Sequence, residues 1–348
     1  MTLDDLLDVA HPFLIRLSVP FRGVRERLGV IFIGPHGWGE FAPFPDYDDA
    51  AASRWLDCAV EAAFGTWPRP TVKPGITSVA VNAIIPAVAR SGCEELVSRA
   101  LAAGQSVFKI KVGTDVRQDL ERIRTIVELL ESQPAMPRWS LRLDANGTWS
   151  AHSAIELLHQ LDRQLPGLLE ERIEYLEQPT ADPEGLRRIR QETGARIAVD
   201  ELLRRATDPF DMVEQVRSCA DVVIVKAAPL GGVRRCVELA QALDLPVVVS
   251  GSLDSSVGLG PGIALAGALA IDRACGLGTS ALLATDLCEP SLLPIAGRLA
   301  IARPEGSAEL LERASHALDT AQRAELLSRV ANAWYAGTQG RWQSLVAS

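Results

Sequence analysis

The sequence predicts an α/β chain in which a (β/α) barrel is joined to a smaller α+β cap. Three observations lead there. From about residue 79 onward, short β-branched runs alternate with amphipathic helical stretches, which implies parallel strand pairing. About eight such units within ~200 residues suit a closed barrel. The first ~75 residues follow a different pattern, with strands, a turn-rich tail and one helix. An open doubly wound sheet is the rival architecture. It more often carries a Gly-rich phosphate loop after its first strand, and VNAIIPAVARSG (81–92) is not one.

In chain order, FLIRLSVPF and LGVIFIGPHGWGEFAPFPDY read as two cap strands with a turn-rich tail, and SRWLDCAVEAAFG reads as a helix. The barrel strands predicted are 79–85, 107–112, 140–145, 172–177, 196–200, 221–226 and 245–250, with a weaker eighth near 274–280. Between them, 116–132 places Leu120, Ile123, Ile126, Val127 and Leu130 at helical spacing. Helices at 150–162 and 182–193 follow, the latter with Asp182 as N-cap and Pro183 in the first turn. RLAIARP (298–304) and the helix AQRAELLSRVANAWYAG are expected to pack back onto the cap. The division is thus 1–76 for the first part of the cap, 77–290 for the barrel and 291–348 for the returning segment.

The formal net charge of −9 argues against nucleic acid or an anionic membrane surface as partner. A small carboxylate substrate remains compatible, because local cations override the global sign. The six cysteines form no CxxC pattern, which suits reduced thiols and a cytoplasmic location. The acidic start lacks a signal-peptide pattern, and GPGIALAGALAI (260–271) is too short and Gly-rich to span a membrane. An oligomer is possible but not predicted.

The chain has 35 Lys and Arg together, yet only Lys73, Lys109, Lys111 and Lys226 are lysines. Two of them stand two residues apart in the apolar run SVFKIKVG (106–113), on one face of a strand. Each amine would disfavour protonation of the other, which suits a base. Barrel chemistry sits at the carboxyl ends of strands. Read in order, those ends carry Lys109 and Lys111, then Asp144, Glu177, Asp200 with Glu201, and Lys226. Each has an ordinary structural explanation alone: an Asx turn at Asp144–Asn146, a strand-end acid at Glu177, helix caps at Asp200 and Glu201, a snorkelling Lys226. Taken together and in order, they favour a site. Three hard oxygen donors suit Mg2+, and none of the five histidines falls at a predicted strand end. A metal beside Lys111 would ease its deprotonation, making it a base toward a carbon next to a metal-bound carboxylate.

KIK, LDAN, YLEQP, VDE and VKAA together resemble the muconate-lactonizing subgroup of the enolase superfamily over nearly the whole chain. The resemblance implies a modified (β/α)7β barrel with an α+β cap built from both termini. It implies Mg2+ on Asp144, Glu177 and Asp200, Lys111 as the base, Lys109 as its tuner and Lys226 facing it across the site. Asn146 and Glu201 become helper groups behind them. Within the subgroup, GWGEFAPFPDY (37–47), FRGVRER (21–27) and SGSLDSSVGL (250–259) look most like members acting in menaquinone biosynthesis. Those members dehydrate 2-succinyl-6-hydroxy-2,4-cyclohexadiene-1-carboxylate to 2-succinylbenzoate. That likeness makes 21–27 a mobile cap loop bringing Arg22 to the substrate, and makes Ser250, Gly251 and Ser252 the contacts of the succinyl carboxylate. Gly37–Glu40 becomes a hinge between cap strands, with Glu40 facing the site.

An N-acylamino-acid racemase or a dipeptide epimerase would use the same lysines and stays open as the alternative. Against the epimerase, ACGLGTSALLATDL lacks the Asp-x-Asp expected for an α-ammonium group. A mandelate-type enzyme would want a late His–Asp pair. A Schiff-base aldolase would need one buried lysine but no three carboxylates, and a non-catalytic metal scaffold would have no use for the lysines.

Overall fold

The computed structural model describes residues 1–21, 23–72, 76–113, 115–133 and 138–337. A short helix, α1 (Leu3–Leu7), is capped by Thr2 and leads into three antiparallel strands, β1 (Ala10–Phe21), β2 (Val24–Gly34) and β3 (Gly37–Phe41). Helix α2 (Asp49–Phe64) begins where the Asp48 carboxylate accepts from Ala51 N at 2.8 Å. It lies so close to β3 that a Cβ on Gly39 would stand 1.9 Å from the Ala59 carbonyl oxygen. Phe32, Phe41, Trp55, Leu56 and Val60 form the apolar core of this unit.

After β4 (Ser78–Ala80) the chain builds a parallel sheet of seven strands in sequence order. These are β5 (Ala83–Ile85), β6 (Val107–Lys111), β7 (Ser140–Asp144), β8 (Ile173–Glu177), β9 (Ile197–Val199), β10 (Val222–Val225) and β11 (Val247–Val249). Helices α3 (Arg90–Ala102), α4 (Val116–Glu131), α5 (Ala151–Gln164), α6 (Leu168–Glu171), α7 (Pro183–Thr193), α8 (Glu201–Arg204), α9 (Val213–Cys219), α10 (Ala227–Leu230), α11 (Val233–Leu243) and α12 (Ser256–Ala268) connect them and continue beyond. Asp182 caps α7 and Pro183 opens it, as predicted. Tyr175, Ala198, Val222, Ile224 and Val248 cluster together, one each from β8, β9 and β11 and two from β10. The fold is therefore the α/β barrel with an α+β cap that the sequence predicts.

Three expectations need correction. The eighth strand is reduced to two parallel bridges, Val81 with Cys275 and Ser250 with Gly276, which close the ring between β11 and β5. Gly276 and Gly278 flank Leu277 there, and glycine weakens a strand. The predicted first strand, 79–85, is split. Its first half, β4, pairs antiparallel with β12 (Arg298–Ala300), and only its second half enters the barrel. The strand part of RLAIARP therefore packs on the barrel, with Leu299 in the barrel's own core, and Arg303 near its end reaches the cap, donating to the Ala62 carbonyl of α2 at 2.6 Å.

The return is made by helices. In α13 (Ala308–His316), which the sequence pattern does not reveal, Leu311 and Ala314 join Phe13 and Ile15 of β1. In α14 (Thr320–Ala336), Leu326, Val330 and Ala333 join the core around α2. All six cysteines are buried and free. Among the described residues no helix is long and apolar enough to cross a membrane.

Candidate active site

Strand register sets the centre of the site. Lys111 pairs with Asp144, and Asp144 pairs with Glu177, so three adjacent strands present these side chains at one level. Lys109 lies one alternation below Lys111 on the same face, as predicted. Its ammonium stands 2.8 Å from Asp144 and 2.6 Å from Glu177. The Lys111 ammonium donates to Asp144 at 2.5 Å and to Asn146 Oδ1 at 3.0 Å. Lys226, on the far side, donates to Asp200 at 2.7 Å.

These contacts change one expectation. Burial alone would push Lys109 toward the neutral amine, but the Asp144 and Glu177 carboxylates outweigh it and raise its pKa. Lys109 is thus a firm cation, and the mutual depression expected of the lysine pair is not seen at it. Burial likewise opposes charge on Asp144, yet Lys109 and Lys111 hold that carboxyl well below its usual range. Burial, and then the charge of Asp144, push Glu177 up.

Asp200 and Glu201 do not cap α8 with their side chains. Gln178 takes that place, its Oε1 accepting from Asp200 N at 3.0 Å and Leu202 N at 3.1 Å. This leaves the Asp200 carboxylate to face Lys226 and Arg204 Nε. Glu201 accepts from Asn146 Nδ2 at 3.0 Å and from Arg204 at 2.5 Å, so Asn146 links Lys111 to Glu201. Arg204 also donates to the Tyr47 hydroxyl, which joins the cap to this corner. Sequence reasoning missed Gln178, Arg204 and Tyr47. FPDY and LEQP contain two of them, but nothing local reveals contacts that span 157 residues, as Arg204–Tyr47 does.

One cavity is lined by Lys109, Lys111 and Lys226 with Arg204, by Phe44 and Tyr47 from the cap, and by Ser250, Gly251, Ser252, Leu253 and Thr279. The loop predicted to meet a succinyl carboxylate therefore lies where the lysines lie. Leu253 takes a left-handed φ of 64° that only a firmly held loop keeps. Arg27 does much of the holding: its Nε donates to the Leu253 carbonyl at 3.0 Å, and its guanidinium stacks 4.4 Å from the Phe44 ring. Arg27 belongs to β2 and is buried, so the 21–27 segment is not wholly a loop. Arg22 lies outside the described residues. Glu40 does not line the cavity; it accepts from Ser255 N and Oγ behind the loop. The cause is the β2–β3 pairing, which sets Glu40 opposite Ile31 and directs it at α12.

The donor set fits Mg2+: three buried carboxylates, no His or Cys among the described residues lining the cavity, and Glu177 Oε2 buried without a hydrogen-bond partner. Among the described residues no three acidic, His or Cys groups are gathered into a metal cluster as they stand. The ammonium groups of Lys109 and Lys226 are bonded to those carboxylates instead.

Comparison with known proteins gives the same frame. A family described as enolase C-terminal domain-like matches residues 92–307, and one described as enolase N-terminal domain-like matches residues 13–63. The chain is 39% identical to the o-succinylbenzoate synthase of Thermobifida fusca over 303 residues, covering 86% of this chain and 89% of that one. It is 38% identical to the o-succinylbenzoate synthase of Mycolicibacterium smegmatis, covering 86% and 87%. In fold it resembles the L-Ala-D/L-Glu epimerase of Bacillus subtilis, with a TM-score of 0.69 over 85% of this chain and 96% of that one; at 21% identity the likeness concerns the fold alone.

Proposed function

The chain belongs to the enolase superfamily and to its o-succinylbenzoate synthases, and on that premise we propose that it dehydrates 2-succinyl-6-hydroxy-2,4-cyclohexadiene-1-carboxylate to 2-succinylbenzoate with Mg2+ as its metal. One observation carries the chemical half of this reading: Lys111 and Lys226 stand on opposite sides of one cavity, each bonded to a carboxylate from the same strand-end arc.

Asp144, Glu177 and Asp200 would hold the Mg2+, which when bound polarises a substrate carboxylate as a Lewis acid. Lys111, oriented by Asp144 and Asn146, takes the proton from the ring carbon next to that carboxylate. As an ammonium it returns the proton to the departing hydroxyl. One C–H and one C–O bond break, a ring double bond forms, and water leaves. Lys226 keeps its charge and faces the negative charge that builds on the substrate. Lys109 compensates Asp144 and Glu177, which keeps both anions in place at the level of Lys111.

Residues 274–287 offer no Asp-x-Asp to meet an α-ammonium, which weighs against dipeptide epimerisation. The net charge of −9 weighs against a nucleic-acid partner, and six free, buried thiols suit work in the cytoplasm. The test is ultraviolet-monitored turnover of the cyclohexadiene by Mg2+-loaded protein, beside EDTA-treated protein and Lys111→Ala. Metal-dependent loss of diene absorbance that vanishes in the variant is expected. A folded, Mg2+-loaded sample without turnover would sink the reading.

A further inference from the structure

Thr279 opens a one-turn 3-10 helix (Thr279–Leu282) just past the two bridges that close the barrel. It is buried, it lines the same cavity as Lys111 and Lys226, and its Oγ1 has no hydrogen-bond partner. Two neighbouring hydroxyls are tied into the fold. Ser250 Oγ donates to the Gly276 carbonyl at 3.3 Å, and Ser280 Oγ donates to that of Leu292 at 2.5 Å. Thr279 alone of these three leaves a hydroxyl to be satisfied. A Cβ built on Gly251 would stand 3.5 Å from that oxygen, 2.9 Å from Asp254 Oδ2 and 3.1 Å from Leu259, so the hydroxyl packs close beside the Gly251 backbone of the Ser250–Ser252 wall.

Position in the ring adds direction. With seven strands in order and the bridged segment as the eighth member, Cys275–Gly276 lies diametrically across from β8, the strand of Glu177. A substrate whose reacting carboxylate sits by Asp144, Glu177 and Asp200 therefore extends its far end across the mouth toward Thr279. Buried polar groups in native proteins are hydrogen-bonded, and an exception facing a cavity calls for a partner brought by the ligand. That partner must be an acceptor, because the cavity already carries three ammonium groups and a guanidinium.

We propose that Thr279 Oγ1 donates a hydrogen bond to an oxygen of the substrate's succinyl arm and selects for substrates that carry one. The assignment rests on the dehydration reading above for the identity of the arm. It deepens that reading by adding a hydroxyl to the Ser250–Ser252 wall, from a part of the chain where sequence offers no cue.

The test compares Thr279→Val, which keeps shape and removes the hydroxyl, with Thr279→Ser, which keeps the hydroxyl. Thr279→Val is expected to raise KM for the cyclohexadiene about ten- to hundredfold, with kcat within about threefold, and Thr279→Ser to stay near wild type. Calorimetry on Mg2+-loaded protein then compares 2-succinylbenzoate with benzoate, which lacks the arm. Thr279→Val should weaken the first and leave the second unchanged. Unchanged binding of 2-succinylbenzoate, or equal weakening of both ligands, would overturn the assignment. If Thr279→Val does not fold, Thr279→Ala carries the same comparison. Absence of wild-type turnover would count against the reaction alone, since the binding comparison needs none.

Discussion

Lys109 Nζ and Glu177 Oε1 stand 2.6 Å apart, both side chains buried, on strands separated by β7. An ammonium thus bridges two of the three carboxylates that would hold Mg2+, and the two cations compete for them. Lys109→Met should lower stability in EDTA by about 3–5 kcal/mol, the usual result of leaving one side of a buried pair alone. Mg2+ should then raise the melting temperature of the variant more than that of the wild type. Thermal melts with and without the metal decide this. An equal Mg2+ shift in both proteins would mean that lysine and metal do not compete.

Glu40 predicts a pH dependence of stability. Burial, and then the charge of Asp254, push its carboxyl from 4.5 up to about 7, with Arg27 and Ser255 opposing the rise. Burial raises Asp254 as well. Between pH 4.5 and 7 the folded state holds a proton that the unfolded chain has released, so stability falls as pH rises through this window and levels off above it. The decline from Glu40 is about 3 kcal/mol at most. Glu40→Gln should flatten that limb in denaturant melts taken across the window. A variant profile as steep as the wild type would assign the slope to other groups.

Arg54 of α2 spans two barrel loops. It donates to the carbonyls of Pro229 at 2.8 Å, Thr207 at 3.1 Å and Arg204 at 2.9 Å. Those loops follow β10 and β9, and so carry Lys226 and the Asp200–Glu201 pair. Arg54→Met keeps the apolar stem and abandons three acceptors. It should lower kcat roughly ten- to hundredfold, the scale of a misplacement near 1 Å, with a smaller change in Mg2+ affinity. Kinetics beside a metal titration separate these. A variant losing stability but keeping kcat would make Arg54 only a brace between cap and barrel.

The strand ends at Lys111, Asp144, Glu177 and Asp200 are legible in the sequence because each combines an apolar run with one charged terminus, and register then follows from parallel pairing. Helices α4 and α7 are legible through their period and, in α7, the Asp-Pro start. What escapes is set by distant partners. The split of 79–85 depends on β12, 220 residues away, whose Arg298 bonds Ser78. Gln178 caps a helix that begins 23 residues later, and Glu40 turns toward α12 because β2 pairs with β3 as it does. The state of Lys109 escapes for the same reason: alternation puts it beside Lys111, but only the folded barrel brings Glu177 to it.

Among the described residues, the barrel is held by continuous strand ladders from β5 round to β11 and by two bridges at Cys275 and Gly276. The lysines and carboxylates of the proposed acid–base chemistry stand on the laddered arc, whereas Ser250 makes one of the bridges and Thr279 follows them. Evolution thus has a hoop with one thin joint, and on the proposed reading that joint faces the end of the pocket that would meet the part of a substrate remote from the reacting bond. Substitutions there can alter which molecules are admitted while the opposite arc keeps its geometry, so relatives of this chain should diverge in diet sooner than in chemistry.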